Sequence, residues 1–374
     1  MNANPLGVAI VGCGRVAGHH CVSIGAIDGV RVVAVCDLIE DRAAPYGAQF
    51  GVPHYLNYHE MLHNHPEADI VAVVTPSGMH FEHALDIVER HSRHVIVEKP
   101  TFMRPDQIDR VYSAAGERNR HVFPVFQNRY NKAVERVRRA ITDGELGNPR
   151  IVSVRVRWCR PQRYYDMAPW RGTFSHDGGA LTNQGIHHVD LLRHLGGEVR
   201  TVHATMRTLG ADIEVEDTVV ATLEYESGAV GSVEVTTAAR PDDFEASISI
   251  VGENGLAQIG GIGVNELQIF TPYPDTRADH SEVFVGIEGR GAVYGYGHEA
   301  VYRDIVAFLR DGASYPVDRD DCSRTIRLLH AFYLSDERSA PVDVGPDTAS
   351  ARLGRPDDTI SDLYRTPSPE AGTA

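Results

Sequence analysis

Through the first third of the chain, short continuous apolar runs alternate with stretches of helical apolar spacing. Gly7–Val11, Val30–Asp37, Ala68–Val74, Arg93–Val97 and His121–Gln127 read as strands without a polar face, which is the signature of a parallel sheet covered on both sides. Helices are expected between them: from Ala17 to about Ile27, around Tyr58–Leu62, over Phe81–His91 and over Arg104–Asn119. Beyond Asn128 the rhythm changes. After a helix over Asn131–Asp143, segments at Arg150–Cys159, Val199–Leu209, Asp217–Tyr225, Ala229–Thr237, Glu245–Gly252 and Leu256–Ile259, with another near Leu267–Phe270, alternate with period two. Alternation with glycine-rich turns predicts a largely antiparallel sheet with one solvated or interface face. Two further helices are expected at His298–Arg310 and Cys322–Leu334, and from about Gly345 the polar composition reads as a flexible tail.

The expected organisation is therefore a doubly wound α/β domain over residues 1–127, an α+β domain built on a mainly antiparallel sheet over 128–344, and a tail over 345–374. A chain of 374 residues exceeds one ordinary core, which also favours two domains. Thirty-six basic against fifty-one acidic residues give −15, which disfavours nucleic-acid and anionic-membrane partners. No apolar run approaches the roughly 20 residues of a bilayer span. The five cysteines are scattered without Cys-x-x-Cys spacing, so a disulfide framework is not expected and a cytoplasmic location is. His59, His63 and His65 lie in a polar segment without patterned partners and read as solvated surface; no metal site is expected.

Candidate chemistry begins at the first strand. Gly12-x-Gly14-x-x-Ala17 follows it and opens a helix, and Asp37 ends the second strand about 20 residues on, which is the context that gives a glycine fingerprint its meaning. Gly12 permits the tight turn, Gly14 clears the approach of a pyrophosphate to the helix N-terminus, and Ala17 allows close helix packing. Asp37 would accept hydrogen bonds from the adenosine ribose and repel a 2′-phosphate, favouring NAD over NADP, with Arg42 nearby as the counterargument. Two more strands end in chemistry: one in Thr75-Pro76 followed by His80, the other in Glu98-Lys99-Pro100. Ligands of open α/β sheets sit at those carboxyl ends; a solvated lysine in a surface turn is the plainer reading of Lys99. Within an unusual insertion, Arg160–Gly197, a helix would put Asn183 and His187 four apart on one face. His188, about 100° away from His187, would pack, cap or touch substrate.

These ordered motifs, together with the Gly178–Asp190 segment, resemble the Gfo/Idh/MocA oxidoreductases over about residues 5–344. The resemblance implies an N-terminal Rossmann domain, an open-faced C-terminal sheet used in a homodimer or homotetramer, and dehydrogenation of a sugar or cyclitol hydroxyl with NAD. It implies cofactor contacts from Gly12, Gly14, Arg15, Val16, Asp37, Thr75, Pro76, His80, Glu98, Lys99 and Gln127. Trp170 and Arg171 match family positions near the cofactor, although such a pair also suits a hydrophobic seam. Lys99 and His187 match the family's catalytic pair, while Asn183 stands where most relatives carry aspartate. Substrate contacts are implied for Lys99, Arg129, Arg163, Tyr165, Asn183, His187 and His188; Arg129, Asn131 and Arg163 equally suit pairing with carboxylates, and His194 reads as structural. The Leu181–His187 wording, with Gln162-Arg163-Tyr164-Tyr165 and Trp170–Thr173 before it, looks most like the branch of sugar-nucleotide 3-dehydrogenases acting on UDP-N-acetylglucosaminuronate.

The chemistry is consistent with that resemblance. Removing hydride from a carbinol carbon requires the hydroxyl proton to leave. His187 can take a proton near neutral pH, and a protonated Lys99 can stabilise the developing alkoxide. The expected activity is oxidation of a secondary hydroxyl, C3, of a sugar or nucleotide sugar; the alternatives are an inositol or free-sugar dehydrogenase and a non-catalytic NAD-sensing regulator.

Overall fold

A computed structural model of the 374-residue chain describes residues 4–272 and 297–367. The first compact unit comprises residues 1–125, 298–322 and 356–374, the second 126–297 and 323–355.

In the first unit the elements run β1 (Leu6–Val11), α1 (Ala17–Gly25), β2 (Val30–Cys36), α2 (Glu40–Phe50), β3 (His54–Tyr55), α3 (Tyr58–Asn64), β4 (Ala68–Val73), α4 (His80–His91), β5 (His94–Val97), α5 (Pro105–Glu117) and β6 (Val122–Pro124). All six strands are parallel, in the order β3-β2-β1-β4-β5-β6. The order reverses between β1 and β4, the switch point at which doubly wound sheets bind ligands. Val8, Ala9, Ile10, Ile70, Val71, Ala72, Val95, Ile96 and Val97 are fully buried, which is why these strands show no polar face in the sequence.

The second unit begins with α6 (Lys132–Thr142), β7 (Pro149–Arg157), a short α7 (Gln162–Tyr165) and α8 (Ile186–Gly196), the last preceded by a π-helical turn over Ala180–Gln184. Strands β8 (Val199–Arg207), β9 (Thr218–Tyr225), β10 (Val230–Thr236), β11 (Glu245–Gly252), β12 (Gly255–Gly260) and β13 (Glu266–Pro272) follow, and β14 (Val342–Asp343) closes the unit; of the remaining helices, α9 (Gly297–Asp311) from His298 onward and the short α11 (Asp358–Ser361) belong to the first unit, and α10 (Arg319–Arg338) is divided between the two at Cys322. The eight-stranded sheet has the order β13-β12-β11-β7-β10-β9-β8-β14 and is antiparallel except where β7 lies beside β10. Val152, Val154 and Val156 of β7 and Val219, Ala221 and Leu223 of β9 point into the core. The other face carries ion pairs such as Arg157 with Glu234 and Glu245.

The chain divides differently from the sequence expectation in three places. Residues 298–322 return to the first unit, so the crossover near Asn128 is not the only one. The expected tail is docked along its described length. Leu353 is fully buried, Arg352 pairs with Asp336 and Glu337, and Arg365 pairs with Glu82 of α4 and with Asp358. Polar composition concealed this because hydrogen bonds and ion pairs, with few apolar anchors, hold the segment; residues 368–374 lie outside the described range. The third difference is His59, expected at the surface. It is buried beneath Tyr58 and Asp86, with Nδ1 2.9 Å from His91 Nε2. Asp86 is already engaged by Tyr58 Oη and Arg90 Nε, each at 2.8 Å.

Candidate active site

The glycine turn after β1 has the geometry its residues suggest. Gly12 sits at φ +98°, where a side chain would also strike the Val74 carbonyl. At Gly14 a Cβ would meet open space, so the approach to the backbone is clear. Helix α1 begins after Val16 with no side-chain cap and no acid in its first turn, leaving its N–H groups available to an anion. Arg15 beside it is exposed. At the end of β2, Asp37 is anchored through both oxygens: Oδ2 accepts from Cys13 N at 2.9 Å and Oδ1 from Ile39 N at 3.0 Å. The anchored carboxylate keeps lone pairs for ribose hydroxyls. Arg42 lies exposed on α2. The turn, the open helix end and the fixed carboxylate fit a dinucleotide.

At the ends of β4 and β5 the side chains mostly grip the backbone. His80, 1% exposed, sits between the two strand ends, with Nε2 2.9 Å from the Thr75 carbonyl and Nδ1 2.9 Å from the Pro100 carbonyl. Burial pushes its imidazole toward the neutral form, in which one ring nitrogen can donate. Thr75 Oγ1 meets His83 Nδ1 at 3.0 Å, and Pro76 immediately precedes a single 3₁₀ turn. His80 thus positions the loop and is a poor candidate for direct cofactor contact. Lys99 is partly exposed and joined to Pro100 by a cis peptide bond. Its neighbour Glu98 is 4% exposed and accepts hydrogen bonds from His20 and His298.

In the second unit Asn183 and His187 are both 8% exposed. They do not share one α-helical face as expected: Asn183 belongs to the π-helical turn and His187 to the first turn of α8. The turn is held from beneath. Glu216 accepts the Leu181 N–H at 3.0 Å, and its Oε1 lies 2.8 Å from the Tyr333 hydroxyl, which also meets Thr182 Oγ1 at 2.7 Å and the Gly178 carbonyl. Burial pushes the Glu216 carboxyl up to about 8. The Asn183 amide donates to Asp177, whose second oxygen accepts from Gly172 N at 2.9 Å. A carboxylate therefore does stand beside position 183, supplied from six residues upstream. Sequence reading missed Asp177 because only the turn at Gly178-Gly179 brings it back.

Several residues expected at substrate are committed elsewhere. Arg129 forms a fork with Asp190, Nε to Oδ2 at 2.7 Å, with Thr325 adding to Asp190 at 3.1 Å. Asn131 donates to the carbonyls of Gly263 and Val264. Tyr165 is buried with its hydroxyl on Thr237 at 2.9 Å. His188, 1% exposed, packs edge-on against Trp158, and burial lowers its imidazole to about 4. Internal hydrogen bonds engage Arg129, Asn131 and Tyr165, and burial encloses Tyr165 and His188. Arg163 remains exposed on α7. Trp170 and Arg171 do pack as a pair: the Arg171 guanidinium lies 4.6 Å from the Trp170 ring centre and 4.2 Å from that of Tyr164. Gln127 is buried at 1% exposure.

The sheet order, the glycine turn and the anchored Asp37 define a dinucleotide-binding protein. A model of the oxidoreductase family with NAD-binding Rossmann fold, Gfo/Idh/MocA, matches residues 6–126, and one of the Gfo/Idh/MocA C-terminal domain matches residues 134–258. The chain belongs to the Gfo/Idh/MocA oxidoreductases. The WlbA dehydrogenase from Bordetella pertussis, solved with NADH and UDP-GlcNAcA, is 34% identical, with a TM-score of 0.84 over 93% of this chain and 100% of that one. The myo-inositol 2-dehydrogenase of Thermotoga maritima is 26% identical over 66% of this chain and 73% of its own length. For the D-glucoside 3-dehydrogenase of Escherichia coli the figures are 28%, 62% and 70%. The protein is an NAD-dependent dehydrogenase of the CH–OH group of a sugar or polyol. Among the described residues no helix is long and apolar enough to cross a membrane.

Proposed function

We propose that the protein oxidises a secondary hydroxyl, C3, of a nucleotide sugar such as a UDP-N-acetylhexosamine or its uronate. The observation that carries this reading is the likeness to the dehydrogenase solved with UDP-GlcNAcA, at 34% identity over 93% of the chain. NAD, when bound, accepts the hydride from the carbinol carbon. His187 takes the hydroxyl proton, Lys99 as ammonium donates to the same oxygen and offsets its developing charge, and Asn183 orients the substrate. Asp177 fixes the Asn183 amide, so the oxygen of that amide is presented in one orientation. Arg163, Trp170 and Arg171 are the candidates for the anionic or planar parts of substrate and cofactor. The active form is a cytoplasmic homodimer or homotetramer.

NADH formation with a panel of UDP-sugars, free hexoses and cyclitols tests the substrate. Turnover of UDP-N-acetylhexosaminuronate is expected; turnover of myo-inositol alone would replace this reading with the cyclitol dehydrogenase that the 26% likeness favours. Lys99→Ala and His187→Ala should each slow turnover by about a hundredfold or more while NAD still binds.

A further inference from the structure

Glu98 is the buried carboxylate of the Glu98-Lys99-Pro100 turn, and its surroundings leave it little freedom. Oε1 lies 2.9 Å from both His20 Nε2 and His298 Nε2, and Oε2 accepts the Lys99 N–H at 3.0 Å. An ionised carboxylate only accepts, so both imidazoles must carry a hydrogen on Nε2. His20 Nδ1 lies 2.7 Å from the Tyr302 hydroxyl. The titratable groups facing this carboxylate come from three helices: His20 from α1, His298 and Tyr302 from α9, and His80 from α4 across the cis Lys99–Pro100 bond. Both rings converge on one carboxylate oxygen, and the network closes around it.

We propose that Glu98 is a positioning residue for Lys99, its immobilised negative charge keeping the neighbouring amine in the ammonium form that the oxidation requires. Three observations support this. Burial alone would raise the Glu98 carboxyl, yet the hydrogen bonds from His20 and His298 hold it well below the usual carboxylate range. Burial holds His298 toward the neutral form against its bond to Glu98, so that ring does not cancel the charge. Finally, Glu98 grips the peptide N–H of Lys99 itself, which fixes the lysine backbone relative to the charge. None of these partners is local in sequence: His20 and His298 are 78 and 200 residues from Glu98.

The inference rests on the dehydrogenase role given to Lys99, and a measurement that needs no substrate separates the two. The pH dependence of Lys99 acylation by a trace of acetic anhydride, mapped by mass spectrometry on the full-length protein, reads the protonation of that amine directly. In Glu98→Gln the midpoint should fall by about one pH unit, the order of effect of removing a neighbouring buried charge. The basic limb of the kcat profile should move with it. A midpoint that stays in place while turnover falls would mean that Glu98 only shapes the turn, and overturns the proposal. Should Glu98→Gln fail to fold, Glu98→Asp serves. With the charge retained, the midpoint should hold while turnover drops, and a shift of a full unit overturns the proposal. A shifted midpoint in a protein that oxidises none of the sugars tested would leave this inference standing and remove the substrate reading.

Discussion

Asp177 accepts the side-chain amide of Asn183, and its other oxygen takes the Gly172 N–H at 2.9 Å. A carboxylate thus stands beside position 183 without occupying it, and introducing one at 183 itself is expected to do harm. Asn183→Asp places two carboxylates within hydrogen-bond reach inside a buried turn, so one of them must take up a proton. The raised carboxyl binds its proton more tightly in the folded state than in the unfolded chain, and stability is lost as pH rises through its folded value. Asn183→Asp should match the wild type near pH 4 and fall behind it by about 1–3 kcal/mol at pH 8. Equal melting temperatures across that range would show that the Asp177 contact is not maintained.

At the other end of the chemistry, Asp37 is fixed by two backbone N–H groups at the tip of β2. Asp37→Ser removes the charge that repels a 2′-phosphate and one acceptor for the ribose. NAD should bind about tenfold or more weakly, with NADP gaining relative to it, as read by quenching of protein fluorescence. An unchanged NAD/NADP ratio would remove Asp37 from the nucleotide site.

The Arg129–Asp190 fork moves Arg129 from substrate recognition to the framework. Their side chains are 9% and 1% exposed, and Thr325 adds a third hydrogen bond. Removing one charge of a buried pair strands the other. Asp190→Asn should therefore destabilise the protein by about 3–5 kcal/mol in denaturant unfolding. A loss below about 1 kcal/mol would free Arg129 for a ligand.

The fold was legible where one physical cause controls the pattern. Double-sided burial makes β1, β4 and β5 continuously apolar, and a half-covered sheet makes β7 to β11 alternate. Helix α2 escaped notice because Pro45 lies within it and its first turn is charged. The residues proposed for catalysis, Lys99, Asn183 and His187, stand out by their motifs, but their supports do not. Asp177, Glu216, His20 and His298 carry no local spacing signal, since tertiary contacts alone bring them to their partners. Conversely, Arg129 and Tyr165 have chemistry suited to a ligand that internal hydrogen bonds take up, and His188 is packed edge-on against Trp158 in the interior.

Glu216 gives the protein a built-in pH dependence. Burial raises its carboxyl from 4.5 to about 8, while the Leu181 N–H and the Tyr333 hydroxyl both point at Oε1. Below pH 4.5 the folded and unfolded chains both carry the proton, and no difference arises. Between 4.5 and about 8 the unfolded chain gives it up while the folded one keeps it, so stability declines steadily with pH and levels off above. Glu216→Gln keeps an oxygen for Leu181 and removes the ionisation. Its melting temperature should fall less steeply than that of the wild type from pH 5 to 8, and the gap between them should close toward low pH. Because Glu216 braces the turn carrying Asn183, wild-type turnover should also fall above pH 8 along a limb that Glu216→Gln lacks. Parallel stability curves for the two proteins would show that Glu216 is ionised throughout and that the turn is held by charge.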